Sequence, residues 1–273
     1  MKKTTIMGIL NITPDSFSDG GDYYDNPQKA LERAQQMIKE GADSIDIGGE
    51  STRPGSESVD AQEELRRVIP VIQILKQHFG NDVLLCIDTW KHDVARETLE
   101  AGCGMVNSLG GFIFDEKLAG VVATSGCDFI MYHSTGKPKT MQQGDITYAN
   151  VIKEISAFFE EQIMLGKKHG VKKEQFIIDP GIGFGKTVEQ NIEIIKNLKV
   201  LETFKLPIAI GVSRKSFLGM ILKDERNIET KPTERLEASL AATAIAVQNG
   251  ASVVRTHDVW ETKKFLTILD KFT

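Results

Sequence analysis

Eight short apolar runs, each followed by a segment of helical periodicity, recur from one end of the 273-residue chain to the other. The runs are Ile6–Asn11, Ser44–Gly49, Val83–Thr89, Met105–Ser108, Asp128–His133, Phe176–Asp179, Pro207–Ser213 and Ser252–His257. They are apolar almost throughout, the pattern of parallel strands buried on both faces. Eight strand–helix units in ~250 residues predict a single (β/α)8 TIM barrel, with residues 1–273 forming one domain. An open doubly wound sheet would need a glycine-rich turn after the first strand, and Asn11-Ile12-Thr13-Pro14-Asp15-Ser16 is not one.

The intervening helices are predicted at Pro27–Glu40, Asp60–Phe79, His92–Ala101, Glu116–Ser125, Tyr148–His169, Val188–Leu201, Thr233–Asn249 and Val259–Phe272. The first has a proline at its start, Ala30, Leu31, Ala34, Met37 and Ile38 at helical spacing, and Gly41 as its stop. Pro70 predicts a kink or break in the second.

Composition narrows the function. A net charge of −5 gives no basic footprint for nucleic acid. No apolar run approaches the ~20 residues of a membrane helix, and Met1-Lys2-Lys3 precedes an apolar stretch too short for a signal peptide. Three cysteines, Cys86, Cys103 and Cys127, form no CxxC and read as buried thiols of a cytoplasmic protein.

In a barrel of this kind the chemistry sits at the C-terminal ends of the strands. There the sequence places Asn11, Asp46, Asp88, Asn107, His133, Asp179, Ser213 with Lys215, and Arg255 with His257. A merely stable barrel needs no such polar ring. Asp88, Asn107 and Asp179 suit a heterocycle with an amino-imino edge. Thr52, Arg53, Arg255 and His257 are donors fit for a phosphate or pyrophosphate. In "DPGIGFGKT" (179–187), Pro180 stands where a phosphate loop needs glycine, so its glycines are read as backbone passing close to a flat ligand. No HxH, HExxH or carboxylate cluster marks a resident metal, which leaves a Mg2+ carried by pyrophosphate and touched by Asn11. The loops after the first two strands (Pro14, Asp15, Ser16 and Gly20-Gly21; "STRPGSES", 51–58) are polar and expected to be mobile lids, with Phe17 buried only on closure.

The segments "MGILNITPDSFSDGG", "GADSIDIGGESTRPG", "CIDTW", "MVNSLGG", "KPKTMQ", "IIDPGIGFGKT", "SRKSFLG" and "VVRTHDV" together resemble the dihydropteroate synthase family, in its order and over nearly the whole chain. The resemblance implies condensation of 7,8-dihydropterin-CH2-pyrophosphate with p-aminobenzoate in folate biosynthesis, in a site that also takes sulfonamides. It implies Mg2+ at Asn11 and pyrophosphate at Asn11, Thr52, Arg255 and His257. The pterin would be held by Asp88, Asn107, Met131, Asp179 and Lys215, and p-aminobenzoate by Phe17, Arg53, Pro54, Phe184 and Ser213. Catalysis would fall to Asp88, Lys215, Arg255 and His257, and a homodimer through the last helices is implied as well.

No nucleophile–base pair is evident, so a covalent enzyme intermediate is not expected, and the demanding step is departure of pyrophosphate. Two other readings share a pterin site: a folate-dependent methyltransferase serving a corrinoid protein, and a non-catalytic pterin-binding paralogue. The first needs no pyrophosphate clamp, and the second would be expected to lose part of the polar ring.

Overall fold

Eight parallel strands follow the order β6-β5-β4-β3-β2-β1-β8-β7 in a computed structural model that describes residues 3–14, 21, 23–52, 55–141, 148–223 and 230–272. The strands are β1 (Thr5–Asn11), β2 (Ser44–Gly48), β3 (Leu84–Asp88), β4 (Met105–Leu109), β5 (Asp128–Tyr132), β6 (Phe176–Asp179), β7 (Ala209–Ile210) and β8 (Val253–Thr256). A parallel bridge between Ile178 and Ile208 joins the two edges, so the sheet closes into the expected single TIM barrel. Of the predicted Pro207–Ser213 run, only Ala209 and Ile210 pair as a strand.

The helices are α1 (Pro27–Glu40), α2 (Ala61–Phe79), α3 (His92–Glu100), α4 (Lys117–Ser125), α5 (Val151–Lys168), α6 (Val188–Lys196), α7 (Ser216–Ile221), α8 (Leu236–Gln248) and α9 (Val259–Phe272). Helix α1 begins and ends on the signals its sequence carries. The Asn26 side chain accepts from the Lys29 N–H at 3.0 Å, and Gly41 closes the helix at φ 105°. Helix α2 runs through Pro70 as one helix. Pro70 is on its exposed face, where water can serve the carbonyl that the missing N–H leaves behind.

Two apolar layers result from the alternation of side chains along each strand. Inside the barrel, Met7, Cys86, Met105, Ile130, Ile177 and Ala209 pack with Val253. Outside it, Ile6, Leu10, Ile45, Ile47, Ile87, Val106, Phe129, Phe176 and Val254 meet helix residues such as Ala34, Met37, Val68 and Phe159. Phe112 stacks on Phe129 at 4.4 Å, and both meet the edge of Phe176. Gly166 of α5 is the space that Phe176 requires, since a Cβ there would come within 2.6 Å of its ring.

Candidate active site

Counting by twos along the strands leads from the inner apolar layer into a polar one. Met105 is followed by Asn107, Cys86 by Asp88, Ile130 by Tyr132, Ile177 by Asp179, and Val253 by Arg255. Asp46 is level with Ile9 of β1 and Cys86 of β3. Asp46, Asp88, Asn107 and Asp179 are buried, and three carboxylates inside a barrel demand compensation.

Arg255 supplies much of it. Its Nε donates to Asp46 Oδ2, and its Nη2 donates to Asp88 Oδ2 at 2.6 Å. Asn107 Nδ2 donates to Asp46 Oδ2 at 3.1 Å, and the Tyr132 hydroxyl donates to Asp88 Oδ1 at 2.9 Å. Two buried acceptors, Asp46 Oδ1 and Asn107 Oδ1, have no donor among the described residues. Asp179 accepts the Gly181 N–H at 2.7 Å. Burial pushes the Asp88 carboxyl up to about 7 despite Arg255, and pushes Asp179 up despite Lys215. Burial likewise pulls the Lys215 ammonium down to about 7, with Asp179 opposing it. Lys215 Nζ lies 4.2 Å from the centre of the Phe184 ring and donates to the Ile182 carbonyl.

Above this acidic floor opens a cavity of about 700 Å3. Asn11, Thr52, Phe184, Ser213, Lys215, Arg255 and His257 line it, together with Arg214, Lys231 and Arg235. No carboxylate occurs among its described lining residues. The site is therefore polarised, with acceptors for N–H groups below and cations at the mouth, although Arg214 is paired with Asp258 and Arg235 holds the carbonyls of Thr230 and Arg214. Ser213 Oγ and His257 Nδ1 are 3.0 Å apart and tie the end of β7 to the end of β8.

The pterin binding enzyme family matches residues 7–257 of the chain. A dihydropteroate synthase of Synechocystis sp. is 45% identical over 94% of this chain and 86% of its own length. The chain belongs to the dihydropteroate synthase family of pterin-binding enzymes. The solved dihydropteroate synthase of Yersinia pestis, in complex with a sulfonamide drug, superimposes with a TM-score of 0.92 at 39% identity, covering 99% of this chain and 94% of that one. The Xanthomonas albilineans dihydropteroate synthase in complex with 7,8-dihydropteroate gives 0.84 at 33% identity, covering 99% and 94%. Members of this family are transferases, and dihydropteroate synthase is the activity this chain shares with them.

Several sequence-based expectations for a dihydropteroate synthase site meet in one place. Asn11, Thr52, Phe184, Ser213, Lys215, Arg255 and His257 share the cavity, and Asp88, Asn107 and Asp179 share the layer beneath it. Phe17, Arg53 and Pro54 lie outside the described residues. Met131 is a correction: it packs in the outer layer with Phe129 and Ile178, and its neighbour Tyr132 faces inward. His133 is another, since its ring packs edge-on against Phe158 of α5 at 4.9 Å, away from the polar ring. Arg255 answers more than was expected of it: its Nε and Nη2 are taken by floor carboxylates, which leaves Nη1 to face a phosphate.

Of the three glycines of 179–187, Gly183 lines the cavity, whereas Gly181 and Gly185 have a different partner from the flat ligand expected. A Cβ on Gly181 would stand 1.9 Å from the His133 carbonyl oxygen, and one on Gly185 would stand 2.0 Å from Thr135 Oγ1. Both have positive φ, 68° and 61°, and they let the loop after β6 sit directly on the loop after β5. Lys186 seals this contact, donating to the carbonyls of Gly181 and Phe184, each at 2.9 Å, and of His133 at 3.3 Å. His133 Nδ1 stands 2.9 Å from the same Nζ, and burial, with Lys186 beside it, drops the imidazole to about 2 and keeps it neutral.

Sequence reasoning gave no role to Tyr132, Lys231 or Arg235 and no ligand to Asp46. Asp46 carried a signal, a charged residue inside the buried run Ser44-Ile45-Asp46-Ile47-Gly48. Lys231 precedes the helix predicted over Thr233–Asn249 and Arg235 lies within it, and neither carried such a signal; Arg235 in fact stands just before α8.

Proposed function

We propose that the floor of this barrel binds the 2-amino-4-oxo edge of 7,8-dihydropterin-CH2-pyrophosphate, and that the mouth holds the pyrophosphate and p-aminobenzoate. The observation carrying this reading is the pair of buried, donor-less acceptors, Asp46 Oδ1 and Asn107 Oδ1, beneath a cavity lined with cations. Acceptors so placed cost free energy until a ligand brings N–H groups, and a pterin brings several. In this reading Asp88, Asn107, Asp179 and Lys215 hold the pterin, and Asn11, Thr52, Arg255 and His257 face the pyrophosphate. Phe184 and Ser213, with Phe17, Arg53 and Pro54, form the p-aminobenzoate site. The Xanthomonas albilineans complex with 7,8-dihydropteroate supports the pterin assignment.

The reaction runs as a dissociative displacement. The C–O bond to pyrophosphate breaks first, its electron pair leaving with the phosphate, and the pterin ring spreads the positive charge left on its methylene. The aromatic amine of p-aminobenzoate is unprotonated at neutral pH, so its lone pair forms the C–N bond without a strong base, and the acidic anilinium that results gives its proton to water. The chain's task is to orient both substrates, neutralise the leaving group with Arg255 and His257, and exclude water. A Mg2+ fits the donor set. Asn11 lines the cavity and would offer a single oxygen to an ion held mainly by the pyrophosphate. When bound, it would offset charge on the departing pyrophosphate.

A homodimer through the last helices belongs to the same proposal. Trp260, Ile268 and Phe272 of α9 and Ile245 of α8 are large exposed apolar side chains that support it. No described helix is long and apolar enough to cross a membrane.

Mixing both substrates with the protein tests the reading. Pyrophosphate and dihydropteroate should appear in equal amounts, and absence of p-aminobenzoate-dependent pyrophosphate release would overturn it. Phe17→Ala should raise the KM for p-aminobenzoate and divert turnover to hydrolysed pterin alcohol, with pterin binding little changed.

A further inference from the structure

We propose that the Tyr132 hydroxyl is a positioning group for Asp88, turning that carboxylate toward the pterin edge. The inference rests on Asp88 being a pterin ligand. Tyr132 stands on β5 and Asp88 on β3, so their 2.9 Å hydrogen bond spans the strand between them, β4, at the level where the ligand is proposed to lie. The phenol cannot easily swing away. Its residue is 3% exposed, and its ring lies 5.0 Å from that of Phe184, in a cluster with Leu109 and Met141.

Asp88 is thus gripped from two sides, by Tyr132 at Oδ1 and by Arg255 at Oδ2. Two donors fix the plane of a carboxylate, where one would leave it free to rotate. The remaining lone pairs then have one direction, which is what recognition of a rigid heterocycle requires.

The hydroxyl also acts on the charge. Asp88 is held up chiefly by burial, and Asp46 from β2 and Glu64 from α2 push it further; Arg255 from β8 and Tyr132 from β5 hold it down. Lys215, at the start of α7, also feels the Asp88 charge. With its carboxyl near 7, Asp88 is poised where loss of one donor changes its ionised fraction at neutral pH. Removing the hydroxyl raises the carboxyl further. Affinity for a ligand that needs the carboxylate should then fail at a higher pH as acid is added.

Calorimetric titration with 6-hydroxymethylpterin between pH 5.5 and 9 tests this in the full-length protein, its Tyr132→Phe variant and its Asp88→Asn variant. Phenylalanine keeps the ring and its packing against Phe184, and thermal unfolding verifies that the fold survives. Tyr132→Phe should bind roughly tenfold more weakly at pH 7. The pH at which its affinity is half lost should move upward, while Asp88→Asn should bind weakly and show no such shift when Tyr132→Phe is added to it. An unchanged midpoint in Tyr132→Phe, or a loss equal at every pH, overturns the positioning role, provided Asp88→Asn is weak. If Asp88→Asn binds like the parent, the reading of Asp88 as pterin ligand is what fails.

Discussion

At Arg255 one guanidinium answers two carboxylates, Asp46 and Asp88, from different strands. Removing it leaves both charges buried, a loss of about 3–5 kcal/mol when one partner of a buried pair is deleted. Arg255→Ala should therefore unfold at lower denaturant concentration than the parent. Adding Asp46→Asn should recover part of that loss, which chemical denaturation of the three variants reads as non-additivity. In binding, the same Arg255→Ala change should cost the pyrophosphate ester more than the pterin alcohol. Equal costs would place the guanidinium away from the phosphates. Lys215 is the second residue with a measurable anomaly. Burial pulls its ammonium down to about 7, whereas an exposed lysine titrates near ~10.4. Its neutral, nucleophilic form should thus dominate above pH 7. Labelling by trinitrobenzenesulfonate, followed by peptide mass spectrometry, should rise at Lys215 with a midpoint near neutrality, and a pterin ligand should block it. A midpoint shared with the surface lysines would show that Lys215 is solvated.

At the scale of elements, the loop after β6 behaves as a bolt between β5 and α6. Lys186 Nζ takes three carbonyls and the His133 imidazole, and burial lowers its pKa well below the ordinary value. Lys186→Met would leave those acceptors unserved, at about 1–3 kcal/mol for each that water cannot reach. The midpoint of thermal unfolding should drop by roughly 5–15 °C, given ~2–4 °C per kcal/mol in a domain of this size. A drop under 2 °C would mean the loop reseats without its lysine. The elements were largely legible from sequence because a buried parallel strand and an amphipathic helix have different periods. Helix α7 and the shortness of β7 were not. Six residues are too few for a helical period, and Gly211 and Val212 leave the sheet to position Ser213 and Lys215. Pro70 does not break its helix because its effect depends on which helix face it occupies.

For the whole molecule, much of the ring of polar strand ends was legible because Asp88, Asn107, Asp179 and Arg255 each lie two residues beyond an inward apolar one. What the sequence concealed was which side chains pair across the lumen. Nothing local ties Arg255 to Asp46, 209 residues apart, and a one-residue change of register separates Met131 from Tyr132. The closed barrel also has an uneven circumference. Neighbouring strands from β1 to β6 pair over three or more residues, whereas β7 pairs with β8 through Ala209 and Ile210 alone. Between β6 and β7 the ladder is one bridge, supported by the Ile178 N–H bond to the Pro207 carbonyl at 3.0 Å. Regions with few paired residues open at lower free energy than the rest of a fold, so this seam should open first. The same seam separates Asp179 at the end of β6 from Lys215 just beyond β7, whose charges already act on one another. A pterin bound to both would span it. Native-state hydrogen exchange should therefore show the Ile178 amide less protected than those of Leu10 or Ile47 in the ligand-free protein. Adding 6-hydroxymethylpterin should slow exchange at Ile178 by a larger factor than at those two. Uniform slowing around the barrel would mean that the ligand stabilises only the global fold, and that the seam is no weaker than the rest.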